Sequence, residues 1–191
     1  MVFLAPDATG HITPEVLSEA LTEDTILLSC QLVNNEIGTV QPVEQLGRLL
    51  KAKAPKALFH IDAVQGLCRV RLTPKKWNCD LMSVSGHKIG APKGIGALYV
   101  KKGLRLPPLT FGGGQERGMR PGTEAVPNIA AFAKACEIRM AHFDEDDAHV
   151  QELADYLKQQ VSAELPDAVI NGEGDIPHVV NLSVPGCKSE V

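Results

Sequence analysis

Apolar runs of strand length alternate with helix-period segments through the first hundred residues, and this alternation limits the possible folds more than any other feature of the chain. Thr13-Pro14 offers a hydroxyl cap followed by proline at the first helical position, and Val16, Leu17, Ala20 and Leu21 then recur at helical spacing. Ile26 to Val33 is a continuous apolar run with few charges, the pattern of a strand buried on both faces. Pro42 opens a second helix with Val43, Leu46, Leu49 and Leu50 along one side. Ala57 to Ile61, Leu81 to Val84 and Ile95 to Val100 read as three further strands. Strand, helix, strand in this rhythm predicts an α/β fold around a mostly parallel sheet. The last of these strands follows its neighbour through a short Gly/Pro turn, which suits an antiparallel pairing.

Beyond Pro107 the pattern changes. Phe111-Gly112-Gly113-Gly114 and Gly118-Met119-Arg120-Pro121-Gly122 read as an irregular loop. A long helical region is expected from about Pro127 to Glu164, broken near Asp144-Glu145-Asp146-Asp147. An acidic run of that kind suits a helix N-terminus, where it complements the macrodipole. Val150, Leu153, Leu157, Val161 and Leu165 mark a face expected to be buried. Asn171-Gly172 is a turn, and His178 to Val184 reads as a strand with no partner visible in the sequence.

Bulk properties exclude several functions. A net charge of −4 without a Lys/Arg run argues against nucleic-acid binding, and no apolar stretch approaches the length of a membrane span. Five cysteines lie far apart with no Cys-x-x-Cys pair, which fits free thiols in a reducing, cytoplasmic setting. His142 and His149 are the one histidine pair with helical spacing, and no third ligand lies nearby, so no metal is expected. Phosphate-loop, dinucleotide-binding and nucleophile-elbow glycine motifs are all absent.

Ligands of open α/β sheets bind beyond the carboxyl ends of the strands. Three polar clusters are expected there: Asn34-Asn35-Glu36, Asp62-Ala63-Val64-Gln65 and Ser85-Gly86-His87-Lys88. A primary amine at such a rim can condense with an aldehyde, the chemistry of pyridoxal phosphate enzymes. Lys88 supplies the amine. Asp62 is the candidate carboxylate for the pyridine nitrogen, and Gln65 the candidate donor to the ring phenolate. Ser85, Gly86 and His87 offer hydroxyl, backbone and imidazole groups for the phosphate. Taken singly, each has a duller reading as a turn residue or a solvated surface side chain. The coincidence of several clusters carries the site.

Four ordered blocks extend this pattern: Val33-Asn34-Asn35-Glu36-Ile37-Gly38, His60 to Gln65, Ser85-Gly86-His87-Lys88 running into Gly94 to Val100, and Gly112 to Thr123. With them the chain resembles the cysteine desulfurase and selenocysteine lyase family of class-V aminotransferase-like enzymes. The resemblance implies fold type I, the aminotransferase-like fold. Residues 1–142 would be the C-terminal part of the cofactor-binding large domain, and residues 143–191 the start of a smaller α+β domain. It implies pyridoxal 5′-phosphate as cofactor, with Lys88 as the catalytic Schiff-base lysine that later moves protons at the substrate carbon. Asp62, Gln65, Ser85 and His87 would take the cofactor roles given above. Asn35 would lie near both the ring oxygen and the substrate carboxylate. Thr123 would reach the phosphate of a partner subunit's cofactor, implying a homodimer.

The family reaction converts L-cysteine to L-alanine and an enzyme persulfide, whose sulfur passes to an acceptor protein for iron–sulfur clusters or thio-modified RNA. The resemblance places the family's nucleophilic cysteine and its carboxylate-binding arginine past Val191, and a phosphate-binding loop before Met1. None of Cys30, Cys68, Cys79, Cys136 and Cys187 occupies the nucleophile's position. The chain is therefore expected to be an internal portion of a longer enzyme, inactive alone. Two alternatives stay open: a selenocysteine lyase of the same fold, and a truncated, non-catalytic homologue acting as an interaction subunit.

Overall fold

The computed structural model describes residues 1–188. Helix α1 (Pro14–Ala20) starts as its sequence dictates: Thr13 Oγ1 accepts a hydrogen bond from the Val16 amide at 3.3 Å, with proline in the first turn. Four strands form the main sheet in the order β1 (Leu27–Gln31), β2 (Leu58–Asp62), β3 (Leu81–Ser85) and β4 (Gly96–Val100). β1, β2 and β3 are mutually parallel, and β4 returns antiparallel to β3, as the short turn before it suggested.

Burial corrects one expectation. The run Ile26 to Val33 forms a shorter strand, and that strand is not covered on both faces: Leu28 is buried, whereas Leu27 and Ser29 are exposed. In β2, Phe59 and Ile61 are fully buried, Leu58 and His60 are half-buried and Asp62 is exposed. Side chains of a strand alternate between faces, so one face of the sheet holds the core and the other stays open among the described residues. The covered face packs against α1 and α2 (Val43–Lys53), with Leu17, Val43, Leu46, Leu50, Phe59, Ile61 and Trp77 in one cluster. On the open face His60 bridges two strands, its Nδ1 2.8 Å from Ser29 Oγ and its Nε2 3.1 Å from Ser83 Oγ.

The second half contains α3 (Val126–Ala141) and α4 (Phe143–Glu164), divided at His142. Asp144, Glu145 and Asp146 fall in the first turn of α4, where the helix dipole favours them. The expected apolar face of α4 is largely uncovered: Ala154 is buried, while Leu153, Leu157 and Leu165 are 43–55% exposed. Beyond it β5 (Val169–Asn171) pairs antiparallel with β6 (Asn181–Ser183). The strand read from His178 to Val184 is thus shorter than expected, and it gains the partner its sequence did not reveal. This hairpin is tied to the loop after β1: Asn181 Nδ2 donates to the Glu36 carbonyl at 3.2 Å, and Asp175 Oδ2 accepts from the Val40 amide at 2.7 Å. Ile176 joins the main core. No helix among the described residues is long and apolar enough to cross a membrane.

A buried carboxylate locks the entry to β3. Asp80 is 5% exposed and accepts from Lys51 Nζ at 2.7 Å, Lys101 Nζ at 2.9 Å and the Phe59 amide at 3.0 Å. It therefore joins α2, β2 and the end of β4. Burial alone would raise its pKa, but the two lysines and the amide outweigh burial and hold it below the ordinary carboxylate range. A depressed native pKa contributes stability above the unfolded value of about 4, and that contribution is lost as pH falls through the native value. Asp80→Asn is expected to cost about 3 kcal/mol near neutrality. Most of this falls on Lys51 and the Phe59 amide, since Lys101 is half-exposed. In urea titrations the gap from wild type should narrow on acidification below about pH 4; a pH-independent gap would contradict the ionised clamp.

Gly47 sets how closely α2 lies on the sheet. A Cβ there would run into the Trp77 carbonyl oxygen and come within 3.1 Å of the Phe59 ring. Gly47→Ala would gain up to about 1 kcal/mol of helix propensity in an exposed helix. Here it is expected to lose about 1–3 kcal/mol through overpacking, read as a lower melting temperature.

Candidate active site

The carboxyl ends of β1, β2 and β3 share one rim because the three strands are parallel. β2 ends at Asp62, in register with Gln31 on one side and Ser83 on the other. Asp62 is exposed, and its Oδ1 caps the following turn by accepting from the Val64 amide at 2.9 Å. Oδ2 makes no hydrogen bond to the described residues. The Ala63 amide donates to the Ser83 carbonyl at 2.9 Å, so the turn carrying Gln65 begins tied to β3.

β3 runs two residues past the Asp62 register, to Ser85, and then tightens into a single 3₁₀ turn, Gly86–Ile89. Glycine is required at its first position. A Cβ on Gly86 would come within 2.9 Å of Ile95, 3.0 Å of Ala91 and 3.1 Å of Phe132. Gly90 ends the turn at φ +91, a left-handed conformation that glycine adopts without strain. Ile89 is buried and pins the turn, His87 is exposed and Lys88 is half-buried. Ser85 Oγ lies 2.7 Å from His87 Nδ1, a hydroxyl–imidazole pair beside the lysine.

Asn35 and Thr123 stand apart from this cluster. Asn35 is exposed and its side chain makes no hydrogen bond to the described residues. Its neighbour Asn34 shapes the turn, its Oδ1 accepting from the Glu36 amide at 2.8 Å and the Ile37 amide at 3.0 Å. Thr123 lies on the exposed loop before α3 and is not hydrogen-bonded to the other candidates.

Two groups escaped the sequence reading. His60 was read as a strand residue, yet it heads the polar network on the open face. Arg69 lies outside every block of the sequence pattern. Its Nη1 donates to Gln65 Oε1, and its Nη2 lies 3.3 Å from the Lys88 carbonyl oxygen. The four-residue spacing from Gln65 was the available signal. Beyond Arg69, a cavity of about 20 Å³ is bordered by Cys68, Lys88, Ile89, Arg139, Phe143, Asp146, Asp147 and His178. It has room for about one water, and the buried Nδ1 of His178 lacks a protein partner there.

The buried Cys79 and the half-buried Cys30 and Cys68 are not activated. Burial pushes Cys30 up to about 12 and Cys79 up to about 11. Burial, followed by the neighbouring Cys136, pushes Cys68 up to about 11. Sulfur nucleophilicity resides in the thiolate, so these three stay inert at neutral pH. Cys136 is half-buried on α3, and Cys187 is exposed beyond β6.

The class-V aminotransferase family model matches residues 1–191. A cysteine desulfurase of Nostoc sp. is 40% identical over 192 residues, covering 100% of this chain and 48% of its own length. A solved structure described as a NifS-like protein superposes with a TM-score of 0.94 at 36% identity, over 99% of this chain and 52% of that one. A second, described as SspA in complex with cysteine, is 42% identical with a TM-score of 0.68, over 71% of this chain and 39% of that one. The chain thus spans about half the length of the curated relatives it matches. The family model, the cysteine desulfurase relatives and the shared α/β architecture agree: these residues belong to the class-V aminotransferase family.

Proposed function

We propose that this chain carries the coenzyme-binding part of a pyridoxal 5′-phosphate-dependent cysteine desulfurase. One observation carries the reading: the turn bearing Lys88 leaves the same sheet rim that ends in Asp62 and Gln65, with Ser85 and His87 paired beside it. The donor set fits the coenzyme. It offers an amine for the aldehyde, an acid with an unengaged oxygen for the pyridine nitrogen, an amide for the ring oxygen, and hydroxyl and imidazole groups for the phosphate. When bound, the coenzyme draws electrons away from the substrate carbon.

The residues of the chain do the rest. Lys88 Nζ holds the coenzyme and then carries the proton at the substrate carbon. Asp62 keeps the pyridine nitrogen protonated by opposing its charge. Ser85 Oγ and the His87 ring bind the phosphate, and Gln65 donates to the ring oxygen. Asn35, exposed and without a side-chain partner among the described residues, is available to the substrate carboxylate. Thr123 reaches a second subunit's phosphate from its exposed loop, making the enzyme a homodimer. The break at His142 supports a division into a large domain over residues 1–142 and a smaller one from 143.

L-Cysteine is the proposed substrate; relatives named cysteine desulfurases and a relative solved with cysteine support it. The products are L-alanine and a persulfide on a cysteine outside this chain, whose sulfur passes to an acceptor protein in the cytoplasm. The raised pKa of Cys30, Cys68 and Cys79 counts against these three as that nucleophile.

Expressed as the full reading frame, the protein is expected to be yellow with bound coenzyme. Lys88→Ala should abolish the lysine-linked absorbance band and cut alanine release from cysteine by about a thousandfold or more. An unchanged band and turnover would sink the reading. The 191 residues alone are expected to release no alanine. If they did, and lost that activity on Lys88→Ala, the nucleophile would have to be one of the five cysteines present.

A further inference from the structure

Arg69 is half-buried, yet among the described residues it makes no ion pair with a carboxylate. Its donors go to neutral oxygens on two segments that the proposed function places at the coenzyme. Nη1 meets Gln65 Oε1 and reaches the Gln65 carbonyl at 3.5 Å, while Nη2 meets the Lys88 carbonyl at 3.3 Å. Asp146 and Asp147 border the same cavity but neither pairs with Arg69, and a partly desolvated cation whose donors meet no carboxylate is a costly way to brace a loop. Burial, then the nearby Arg139, holds its pKa below the ordinary arginine value. The local fold aims it: the Arg69 and Val70 amides donate to the Gly66 carbonyl at 3.0 and 2.9 Å, winding residues 63–70 into turns that put positions 65 and 69 on one side.

We propose that Arg69 is a positioning residue: it fixes the Gln65 side-chain amide with its NH2 end toward the coenzyme's ring oxygen and ties that amide to the turn bearing Lys88. The chemistry of the two groups requires this orientation. A guanidinium has only donors, so the Gln65 atom facing it is the oxygen. The other end of the amide is therefore the NH2 group, and none of the described residues accepts from it. Nor is that nitrogen a buried orphan, because His178 Nδ1 is the one such side-chain atom among the described residues. Gln65 is thus held as a one-way donor. Without Arg69 the amide rotates freely and half its orientations turn an oxygen toward the ring oxygen. The guanidinium fork also spans two acceptors on separate segments, which a lysine ammonium on one stem does less well.

The inference rests on the coenzyme reading, so its test separates the two. The full-length holoenzyme and its Arg69→Met, Gln65→Leu and double variants are stripped of coenzyme and titrated with pyridoxal phosphate. The readouts are the dissociation constant and the pH midpoint of the visible band. The other titratable groups that face this region, Asp62 and His87 at the rim and Cys68, Arg139, Asp146, Asp147 and His178 around the cavity that Lys88 borders, are unchanged in every variant. Arg69→Met is expected to weaken coenzyme binding roughly tenfold and to raise the midpoint, because the ring oxygen loses a stabilising donor. Gln65→Leu should do the same, and the double variant should be no worse than Gln65→Leu alone. Wild-type behaviour of Arg69→Met, or a loss that adds in full to that of Gln65→Leu, overturns the positioning role while leaving the coenzyme reading intact. Absence of any band in the wild type overturns both. If Arg69→Met does not fold, Arg69→Lys carries the same cycle: a smaller weakening that vanishes in the Gln65→Leu background supports the role, and one that persists there overturns it.

Discussion

The parallel pairing of β2 with β3 is the constraint on which everything else depends. It puts Asp62 level with Ser83 and lets β3 run on to Ser85 before the chain turns. The acid at the end of one strand and the amine on the turn after the next therefore leave the sheet at one rim. A shift of one residue would turn Asp62 to the opposite face, into the core beside Phe59 and Ile61. The buried pattern of β2 forbids that shift, so the same apolar residues that stabilise the sheet also fix the geometry of the site.

The covered and open faces divide the labour. Under the sheet, α2 lies close because Gly47 has no side chain, and Asp80 binds helix, sheet and returning strand through Lys51, Phe59 and Lys101. These interactions hold β3 at its start, well away from the chemistry proposed at its end. On the other face the serines and His60 leave a polar surface that rises toward Asp62. Rigidity below and polarity above are what a preorganised coenzyme site needs. Arg69 bridges the two turns at the rim, where neither the sheet hydrogen bonds nor the core reaches.

Much of this was legible in the sequence. The apolar runs located β1 to β4, Thr13-Pro14 located α1, and Pro42 located α2, because each signal is local. The rim clusters followed from where the strands end. Other features depend on contacts distant in sequence. The one-sided burial of β1 was hidden because Ile26 and Leu27 look as apolar as Leu28 but face outward. β5 was missed because Val169–Asn171 is too short to show a period, and its pairing with β6 is what stabilises it. The apolar stripe on α4 was read as buried from its spacing, yet spacing reports only that residues share a side. Arg69 carries no local signal beyond its spacing from Gln65, and its contact with the Lys88 carbonyl joins residues nineteen apart.

The central claim is that the Lys88 amine forms the covalent link to the coenzyme. Borohydride reduction of the full-length protein loaded with pyridoxal phosphate, followed by peptide mass mapping, tests it most directly. The account expects a single reduced phosphopyridoxyl group on the peptide containing Lys88, absent without prior loading. Its appearance on Lys93 or another lysine, with Lys88 unmodified, would contradict the account.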